Sequence, residues 1–369
     1  MKAIISGGGS GGHIFPAIAI ANSLRRRHPD ADILFVGAED KMEMEKVPAA
    51  GYAIKGLPID GLHRQLNWTN IKRNLTLPYK IIRSRSMVRR LLRDFNPDVV
   101  VGVGGFASEP TLKQAAAMGF PTLIQEQNSY AGLTNKMLAN KADCICVAYE
   151  GMDRFFPADK IVLTGNPVRD DIENMKVGKD ESCAHFDLDT SMPIVLSVGG
   201  SLGASSINNM LLNHIDTFAD HGIQIVWQTG RWMYEQVRDA VARRGVEKWV
   251  KVHQFITRMD MAYTAADVVM SRAGAIAISE LCIVGKPIIL IPSPNVAEDH
   301  QTKNAQSLVN KGAAILVADK DCNNEGIDKL LEIIASPDKR ISMSKACASL
   351  ALRGSADKIV DEIEKIAKK

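Results

Sequence analysis

The sequence predicts an α/β protein with two Rossmann-like, doubly wound domains facing a cleft. Three observations predict this class. The chain has 369 residues, which suits two domains of ordinary size, each with its own core. Short apolar runs alternate with longer helical patterns, as in β-α-β units, and the alternation restarts after residue 165. A hydrophobic fraction of 46% and a charged fraction of 24% exclude a disordered or fibrous chain.

The first half of the chain holds five short apolar runs separated by helical patterns. The runs are typical of buried parallel strands and cover residues 3–6, 32–37, 98–103, 121–125 and 143–147. The helical patterns cover residues 16–27, 68–95, 111–118 and 133–140. This alternation predicts a parallel sheet with helices on both of its faces.

The second half repeats the same pattern. Its predicted strands cover residues 194–198, 223–228, 250–253, 268–270 and 287–291. Its predicted helices lie near residues 203–219, 231–244, 274–284 and 299–311, and the tail from about 340 to 369 is also predicted to be helical. Gly165 and Pro167 break the periodicity between the halves. We therefore place the domain boundary there, with an N-terminal domain over 1–164 and a C-terminal domain over 165–351.

The six cysteines and the chain termini indicate where the protein works. The cysteines show neither a CxxC pair nor a zinc spacing. Cys144 and Cys146 lie in an apolar run, so we expect these two to be buried thiols, which fits a reducing compartment. The first residues lack a secretory signal, and no apolar run approaches the roughly 18 residues of a membrane span. These features predict a cytosolic protein that could still touch a membrane surface.

Positive charge is concentrated in the first half of the chain. Residues 1–164 carry 21 Lys and Arg against 15 Asp and Glu, whereas the whole chain has a net charge of only +3. Between residues 61 and 93 there are nine Lys and Arg, no acidic residue, and many interleaved apolar side chains. This pattern is typical of an interfacial helix on anionic lipid, although a solvated helix or a nucleic-acid surface would also fit.

Glycine-rich loops follow several predicted strands. The first, Gly7 to Gly12, precedes His13 and a helix with Pro16 in its first turn. Such a loop lets backbone N–H groups and a helix dipole face a phosphate. Gly7, Gly9 and Gly12 also satisfy GxGxxG, but the acidic residue expected about 20 residues later for a dinucleotide is poorly placed. Similar junctions recur near residues 199–205 and 271–275.

Seven motifs in order give the chain its resemblance to a known family. They lie at residues 8–17 (GGSGGHIFPA), 104–108 (GGFAS), 126–135 (EQNSYAGLTN), 165–169 (GNPVR), 199–204 (GGSLGA), 271–275 (SRAGA) and 299–305 (DHQTKNA). With them the chain resembles the MurG family of bacterial glycosyltransferases over essentially its whole length.

The resemblance implies an inverting transferase of the GT-B fold. The family moves N-acetylglucosamine from UDP-N-acetylglucosamine (UDP-GlcNAc) to the muramyl 4-hydroxyl of undecaprenyl-pyrophosphoryl-N-acetylmuramoyl-pentapeptide (lipid I). The product, lipid II, is the lipid-linked precursor of peptidoglycan. The resemblance places the acceptor and the membrane on the N-terminal domain, joined by the last helix at about 352–369, and the donor on the C-terminal domain. It further implies a peripheral location on the cytoplasmic face of the inner membrane, and other cell-wall synthesis proteins as partners.

The resemblance also assigns roles to individual residues. For catalysis, a histidine beside a helix N-terminus can stay neutral and accept the acceptor's proton, and both His13 and Glu126 remain candidates for the base. Glu280 can accept hydrogen bonds from ribose hydroxyls, and Arg169 offers a planar fork of donors to the diphosphate. The residues expected at UDP-GlcNAc are Ser10, Gly11, Gly12, Asn128, Arg169, Gly200, Ser201, Gly203, Ile256, Ala275, Ile276, Ala277, Glu280, Gln301 and Asn304. The residues expected at the membrane are Trp68, Lys72, Arg73, Lys80, Arg83, Arg85, Arg89 and Arg90.

Two features bear on cofactors and on departures from the family. No Asp-x-Asp motif, which would hold a metal-bound diphosphate, lies in a plausible loop, so we expect no obligatory metal. We expect Arg169, Ser201 and helix amides to stabilise the leaving diphosphate in place of a cation. His300 stands where some relatives carry a second glutamine, which leaves its contact with the sugar open. Two alternatives remain: an NAD(P)-dependent oxidoreductase, and a non-catalytic basic protein that binds lipid. Nucleic acid is not an expected partner.

Overall fold

The computed structural model describes residues 1–60, 68–200 and 202–367, with the side chains of 68–74 and 297 left undescribed. The chain divides into two compact units. Unit 1 comprises Met1–Val168 and Gly354–Lys369, and unit 2 comprises Arg169–Arg353. The sequence analysis placed the first boundary between residues 164 and 165 and the second between residues 351 and about 352.

Unit 1 is built on a parallel sheet of seven described strands in the order β3-β2-β1-β4-β5-β6-β7. The central strands are buried almost throughout because helices cover both faces of the sheet. The strands are β1 (Lys2–Ser6), β2 (Asp32–Ala38), β3 (Ala53–Leu57), β4 (Val99–Gly102), β5 (Thr122–Glu126), β6 (Cys144–Val147) and β7 (Ile161–Leu163).

The helices of unit 1 cover the sheet and enclose one apolar cluster on each face. The helices are α1 (Gly11–Arg27), α2 (Glu43–Ala49), α3 (Trp68–Phe95), α4 (Ser108–Ala117), α5 (Leu133–Leu138) and, from the end of the chain, α16 (Ser355–Ala367). Because strand ends and helix starts alternate along the chain, the loops that precede α1, α4 and α5 all lie at the carboxyl edge of the sheet.

The last helix, α16, packs on α1 within unit 1. Its apolar stripe of Ile359, Ile363 and Ile366 is buried together with Val360. Ion pairs line the same contact, with Arg27 Nη1 lying 2.5 Å from Asp361 Oδ1 and Asp357 accepting from Ser23. The predicted apolar stripe at the end of the chain therefore faces the core of unit 1.

Unit 2 has a parallel sheet of six described strands in the order β10-β9-β8-β11-β12-β13. The strands are β8 (Ile194–Val198), β9 (Gln224–Gln228), β10 (Val250–His253), β11 (Val268–Ser271), β12 (Ile288–Leu290) and β13 (Ala314–Leu316). The helices are α6 (Asp170–Glu173), α7 (Lys179–His185), α8 (Ser205–Asn213), α9 (Ile215–Asp220), α10 (Tyr234–Arg244), α11 (Met259–Ala265), α12 (Ala275–Val284), α13 (His300–Val309), α14 (Cys322–Ala335) and α15 (Pro337–Ser349).

All ten predicted strands are present, but three strands were missed. The missed strands β3, β7 and β13 each lie at an edge of their sheet. The predicted helical tail from about 340 to 369 consists of two helices, α15 and α16, with a break between them. Gly354 lies in this break, directly before α16, with a φ of +67°, a backbone conformation that glycine adopts more readily than other residues.

Candidate active site

The first glycine loop, between β1 and α1, presents His13 at the start of the helix. Its Nδ1 lies 3.0 Å from the carbonyl oxygen of Gly8 and 3.3 Å from Ser10 Oγ. A carbonyl can only accept, so the Gly8 contact assigns the ring hydrogen to Nδ1 and the lone pair to Nε2. Gly11 and Gly12 are the first residues of α1. The imidazole is thus oriented to receive a proton at Nε2.

The second glycine loop, after β4, packs directly on the first. A Cβ on Gly105 would lie 2.3 Å from the Gly8 carbonyl oxygen, and Gly105 has a φ of +87°. A Cβ on Gly104 would lie 2.9 Å from His13 Nε2. Only glycine fits where two backbones approach so closely, which explains why both loops are glycine-rich.

Glu126, the second candidate base, is buried and saturated with hydrogen bonds at the end of β5. Its Oε1 accepts from the backbone N–H of Asn128 at 3.0 Å and from Asn128 Nδ2 at 3.2 Å. Its Oε2 accepts from the backbone N–H of Gly132 at 3.0 Å and from Asn135 Nδ2 at 2.8 Å. Four donors occupy the two oxygens, so this carboxylate orders the loop that carries Asn128.

In unit 2, the partly exposed side chain of Arg169 pairs with the buried carboxylate of Glu280. Arg169 Nε lies 3.0 Å from Glu280 Oε1, and the hydroxyl of Tyr263 donates to Glu280 Oε2 at 3.4 Å. Burial raises the pKa of Glu280 above its ordinary value, and Arg169 opposes part of that shift. Burial, together with the charge of Glu280, raises the pKa of Tyr263 well above its ordinary value, so the phenol remains a donor.

The loop after β8 lies beside the loops that follow β9 and β10. The side chain of Gln228 donates to the Gly200 carbonyl at 3.0 Å and accepts from the backbone N–H of Ile256 at 2.8 Å. A Cβ on Gly203 would lie 2.0 Å from the Thr229 carbonyl oxygen. A base that paired with the Ile256 amide would therefore have to displace Gln228. Ser201 lies outside the described residues.

Helix α12 begins at the strand–helix junction that follows β11. Ala275, Ile276 and Ala277 form its first turn, where backbone N–H groups lack partners within the helix. Gln301 on α13 accepts from the backbone N–H of Ala273 at 3.2 Å and of Ser293 at 2.8 Å. Gln301 therefore links α13 to this junction.

Two further residues of α13 have surroundings that bear on sugar binding. Asn304 is fully buried. His300 Nε2 lies 3.3 Å from Glu298 Oε2, so the residue that departs from the family pattern is paired with a neighbouring carboxylate. Direct contacts of Asn304 and His300 with a sugar remain predictions.

The basic helix α3 has a buried face and an exposed face. Ser84, Val88 and Leu92 are buried on one side, while Tyr79 and Ile82 are 66% and 68% exposed on the other. Arg83, Arg89 and Arg90 are exposed.

Two of the cations predicted for the membrane form ion pairs within unit 1. Lys80 Nζ lies 2.5 Å from Asp60 Oδ2, and Arg85 Nη2 lies 2.7 Å from Glu109 Oε1. The side chains of Trp68, Lys72 and Arg73 lie outside the described residues. Among the residues that are described, no helix has both the length and the apolar content needed to cross a bilayer.

Sequence reasoning missed Tyr263 and Gln228. Both are buried residues in segments without a glycine motif, 17 and 28 positions away in sequence from the groups they contact. The only available signal was polarity inside apolar segments, which also occurs in ordinary cores. Within the described part of the chain, no three His, Cys, Asp or Glu side chains come together as metal ligands.

The fold and the loops define the class of protein. The chain matches the "Glycosyltransferase family 28 N-terminal domain" over residues 3–147 and the "Glycosyltransferase family 28 C-terminal domain" over residues 194–360. Two parallel-sheet units with glycine loops at their strand–helix junctions agree with these matches. The protein is a glycosyltransferase of the GT-B fold.

Full-length relatives define the family within this class. The chain is 54% identical to the UDP-N-acetylglucosamine–N-acetylmuramyl-(pentapeptide) pyrophosphoryl-undecaprenol N-acetylglucosamine transferase of Parabacteroides distasonis, covering 100% of the chain and 99% of the relative. It is 52% identical to the transferase of the same name from Phocaeicola vulgatus, covering 100% and 97%. The crystal structure of Acinetobacter baumannii MurG has a TM-score of 0.82 and 27% identity, covering 99% of both chains. The chain belongs to the MurG family, which confirms the resemblance and does not favour the oxidoreductase alternative.

Proposed function

We propose that the protein transfers N-acetylglucosamine from UDP-GlcNAc to the muramyl 4-hydroxyl of lipid I and so forms lipid II. The observation that carries this proposal is the 54% identity, over the whole chain, to a transferase whose name states that reaction. The donor is UDP-GlcNAc, and the acceptor is undecaprenyl-pyrophosphoryl-N-acetylmuramoyl-pentapeptide.

The donor binds to unit 2 in this proposal. Arg169 donates to the diphosphate and Glu280 accepts from the ribose hydroxyls, a division of labour supported by their adjacency at 3.0 Å. The first turn of α12 adds backbone N–H groups and the positive end of the helix dipole. The loop at 199–204, including Ser201, contacts the same diphosphate, and Ile256 presents its backbone to uracil. Gln301 and Asn304 on α13 bind the sugar.

The acceptor is activated on unit 1. The 4-hydroxyl oxygen attacks the anomeric carbon of the donor sugar, a carbon–oxygen bond forms, and the bond from that carbon to the diphosphate breaks. The electron pair of the broken bond leaves with UDP, while the hydroxyl proton passes to Nε2 of His13. Attack on the face opposite the leaving group inverts the anomeric centre. Ser10, Gly11, Gly12 and Asn128 face the reacting sugars.

His13 is the better candidate for the base because of how the two candidates are bonded. The oxygens of Glu126 already accept from four donors, and protonating this carboxylate would leave buried donors competing for it. The Gly8 contact instead sets the tautomer of His13 that can accept a proton. We therefore assign the proton transfer to His13 and the ordering of the 127–132 loop to Glu126.

The diphosphate is stabilised by protein groups without an obligatory metal. Arg169 and the amides of α12 supply positive potential where charge develops on the leaving group. This part of the proposal predicts that a chelator such as EDTA leaves the transfer rate unchanged.

The exposed face of α3 contacts the membrane that carries the acceptor. Tyr79 and Ile82 would enter the interface, with Arg83, Arg89 and Arg90 among anionic headgroups. The protein would then lie peripherally on the cytoplasmic face of the inner membrane, where other cell-wall synthesis proteins are its neighbours.

A transfer assay tests the proposal. Radiolabelled UDP-GlcNAc and a short-chain lipid I analogue are incubated with the protein, and lipid-linked label is counted with and without EDTA. We expect lipid-linked label in both conditions, and we expect UDP, but not NADH, to raise the melting temperature. Stabilisation by NADH alone, with no label transferred, would favour the oxidoreductase alternative.

A further inference from the structure

Glu43, on helix α2, is a fully buried carboxylate beneath the first glycine loop. Its exposed fraction is 0%. Its Oε2 accepts from the backbone N–H of Gly9 at 2.9 Å, and its Oε1 accepts from the backbone N–H of Ala38 at 3.0 Å. A Cβ on Gly8 would lie 2.1 Å from Glu43 Oε1. The carboxylate thus joins the end of β2 to the loop that precedes α1.

The peptide group between Gly8 and Gly9 has a contact at each end. Its N–H donates to Glu43, and its carbonyl oxygen lies 3.0 Å from His13 Nδ1. Hydrogen bonds in such a chain polarise one another. An ionised acceptor at the N–H therefore strengthens the carbonyl as an acceptor for the imidazole hydrogen.

We propose that Glu43 is a positioning residue for His13 that acts through the Gly8–Gly9 peptide. The carboxylate, the peptide and the imidazole form one line of hydrogen bonds that holds the hydrogen on Nδ1 and favours the imidazolium formed during transfer. The role resembles that of the buried aspartate behind the histidine of a hydrolase triad, with a peptide group interposed. This inference rests on the proposed function, in which His13 is the base.

The contact between Glu43 and the Gly9 N–H disfavours phosphate binding at the first glycine loop. The Gly9 N–H, which a phosphate-binding loop would offer to its ligand, is used by Glu43. A buried carboxylate also opposes a bound anion by like-charge repulsion. The GxGxxG spacing of Gly7, Gly9 and Gly12 therefore does not make this loop a dinucleotide site, because Glu43 already uses the Gly9 N–H.

Glu43→Gln is the variant that tests the relay. The amide keeps the size of the side chain, but only its oxygen can accept, so one of the two backbone N–H groups loses its acceptor. The hydrogen-bond partners behind metal-ligating histidines contribute about 10- to 100-fold to metal affinity or activity, and we expect a comparable effect on His13. We expect kcat to fall within that range, while the Kd of UDP stays unchanged because UDP binds to unit 2.

Glu45→Gln is the matched control. Glu45 lies on the same helix with its side chain 77% exposed, and it pairs with Lys46 on the surface. This variant should retain the wild-type kcat. A loss of kcat equal to that of Glu43→Gln would show that any charge change on α2 has the effect, and would overturn the inference.

The double variant of Glu43→Gln and His13→Ala distinguishes this inference from the proposed function, because it shows whether the two losses of kcat add. If Glu43 acts through His13, Glu43→Gln should lower kcat little further in a His13→Ala background. Full additivity of the two losses would overturn the relay while leaving His13 as the base. If His13→Ala alone left kcat unchanged, His13 would not be the base, and that part of the proposed function would be wrong.

A spectroscopic measurement keeps the relay testable even if Glu43→Gln folds poorly. In the wild-type protein with ¹⁵N-labelled histidine, the His13 signals, assigned by their loss in His13→Ala, should show a hydrogen on Nδ1. In a folded Glu43→Gln protein the population with the hydrogen on Nε2 should rise. A wild-type His13 with its hydrogen on Nε2 would overturn the relay.

Discussion

Arg169 and Glu280 illustrate how a site differs from the motifs that predict it. The sequence assigned the two residues to different parts of the donor, and they lie 111 positions apart. In the structure they form one ion pair, with Tyr263 donating to the same carboxylate. In the proposed function, the diphosphate and the ribose would therefore meet two side chains that already contact each other, and this contact would orient both of them before the donor binds.

Arg169→Ala should weaken UDP binding by about 2 to 3 kcal/mol, the range of a lost hydrogen bond to a charged group. The loss also leaves Glu280 buried without its cation, so like charge would oppose the diphosphate. Isothermal titration with UDP measures the effect. Arg244→Ala is the control, because Arg244 on α10 pairs with Asp216 at the surface of unit 2. Near wild-type affinity in Arg169→Ala would remove this arginine from the diphosphate site.

His13→Ala should lower turnover by about 10²-fold or more, the usual contribution of a general base. The Kd of UDP should not change, since the histidine lies in unit 1. His28→Ala is the matched control on the same segment, because His28 Nε2 contacts Glu364 at the far end of α1. Steady-state kinetics with saturating donor give the comparison. Unchanged turnover would transfer the role of base to Glu126.

Functional residues could be predicted from the sequence where the residues that mark them lie nearby in the chain, and could not be predicted where those residues lie far away. His13 and the first turn of α12 are marked by glycines within their own loops. Glu43 is not, because its partner Gly9 is 34 positions away and the charged residues around it resemble a solvated helix. Only the fold brings that carboxylate beneath the loop.

At the level of elements, the three missed strands are edge strands that are only partly buried. The fourth edge strand, β10, was predicted although it is no more buried than β13. β3 alternates exposed and half-buried residues, and β7 and β13 have three residues each. An edge strand has one neighbour and covers less of the core, so its sequence lacks the continuous apolar run of a central strand. The central strands could be predicted because both of their faces are buried.

The contact between α1 and α16 should depend on pH through Asp357. The hydrogen bond from Ser23, with the charges of Arg26 and Arg27, holds the pKa of Asp357 below its ordinary value of 3.8. A carboxylate with a lowered pKa stabilises the fold above its unfolded pKa and loses this contribution as pH falls through the folded value. Melting temperatures of wild type should therefore fall more steeply below about pH 4 than those of Asp357→Asn. Equal slopes would show that this carboxylate does not couple α16 to pH.

For the whole molecule, the concentration of charge on α3 should govern membrane binding. Reversing Arg83, Arg89 and Arg90 together to Glu should cost at least about 3 kcal/mol, or roughly 10²-fold in affinity for anionic vesicles, at about 1 kcal/mol per cation. Co-sedimentation at increasing salt measures this. Reversal of Arg238, Arg243 and Arg244 on α10 changes the net charge equally and should leave binding intact. Persistent binding of the α3 variant would show that another surface docks.

The proposed inverting transfer is tested most directly by following the anomeric carbon of the donor. UDP-GlcNAc labelled with ¹³C at that carbon is incubated with the protein and a short-chain lipid I analogue, and the products are examined by NMR. Direct inverting transfer to lipid I predicts that one UDP is released for each β-linked N-acetylglucosamine attached to the muramyl 4-oxygen. An α-linked product, or label recovered only as free sugar, would contradict direct inverting transfer to lipid I.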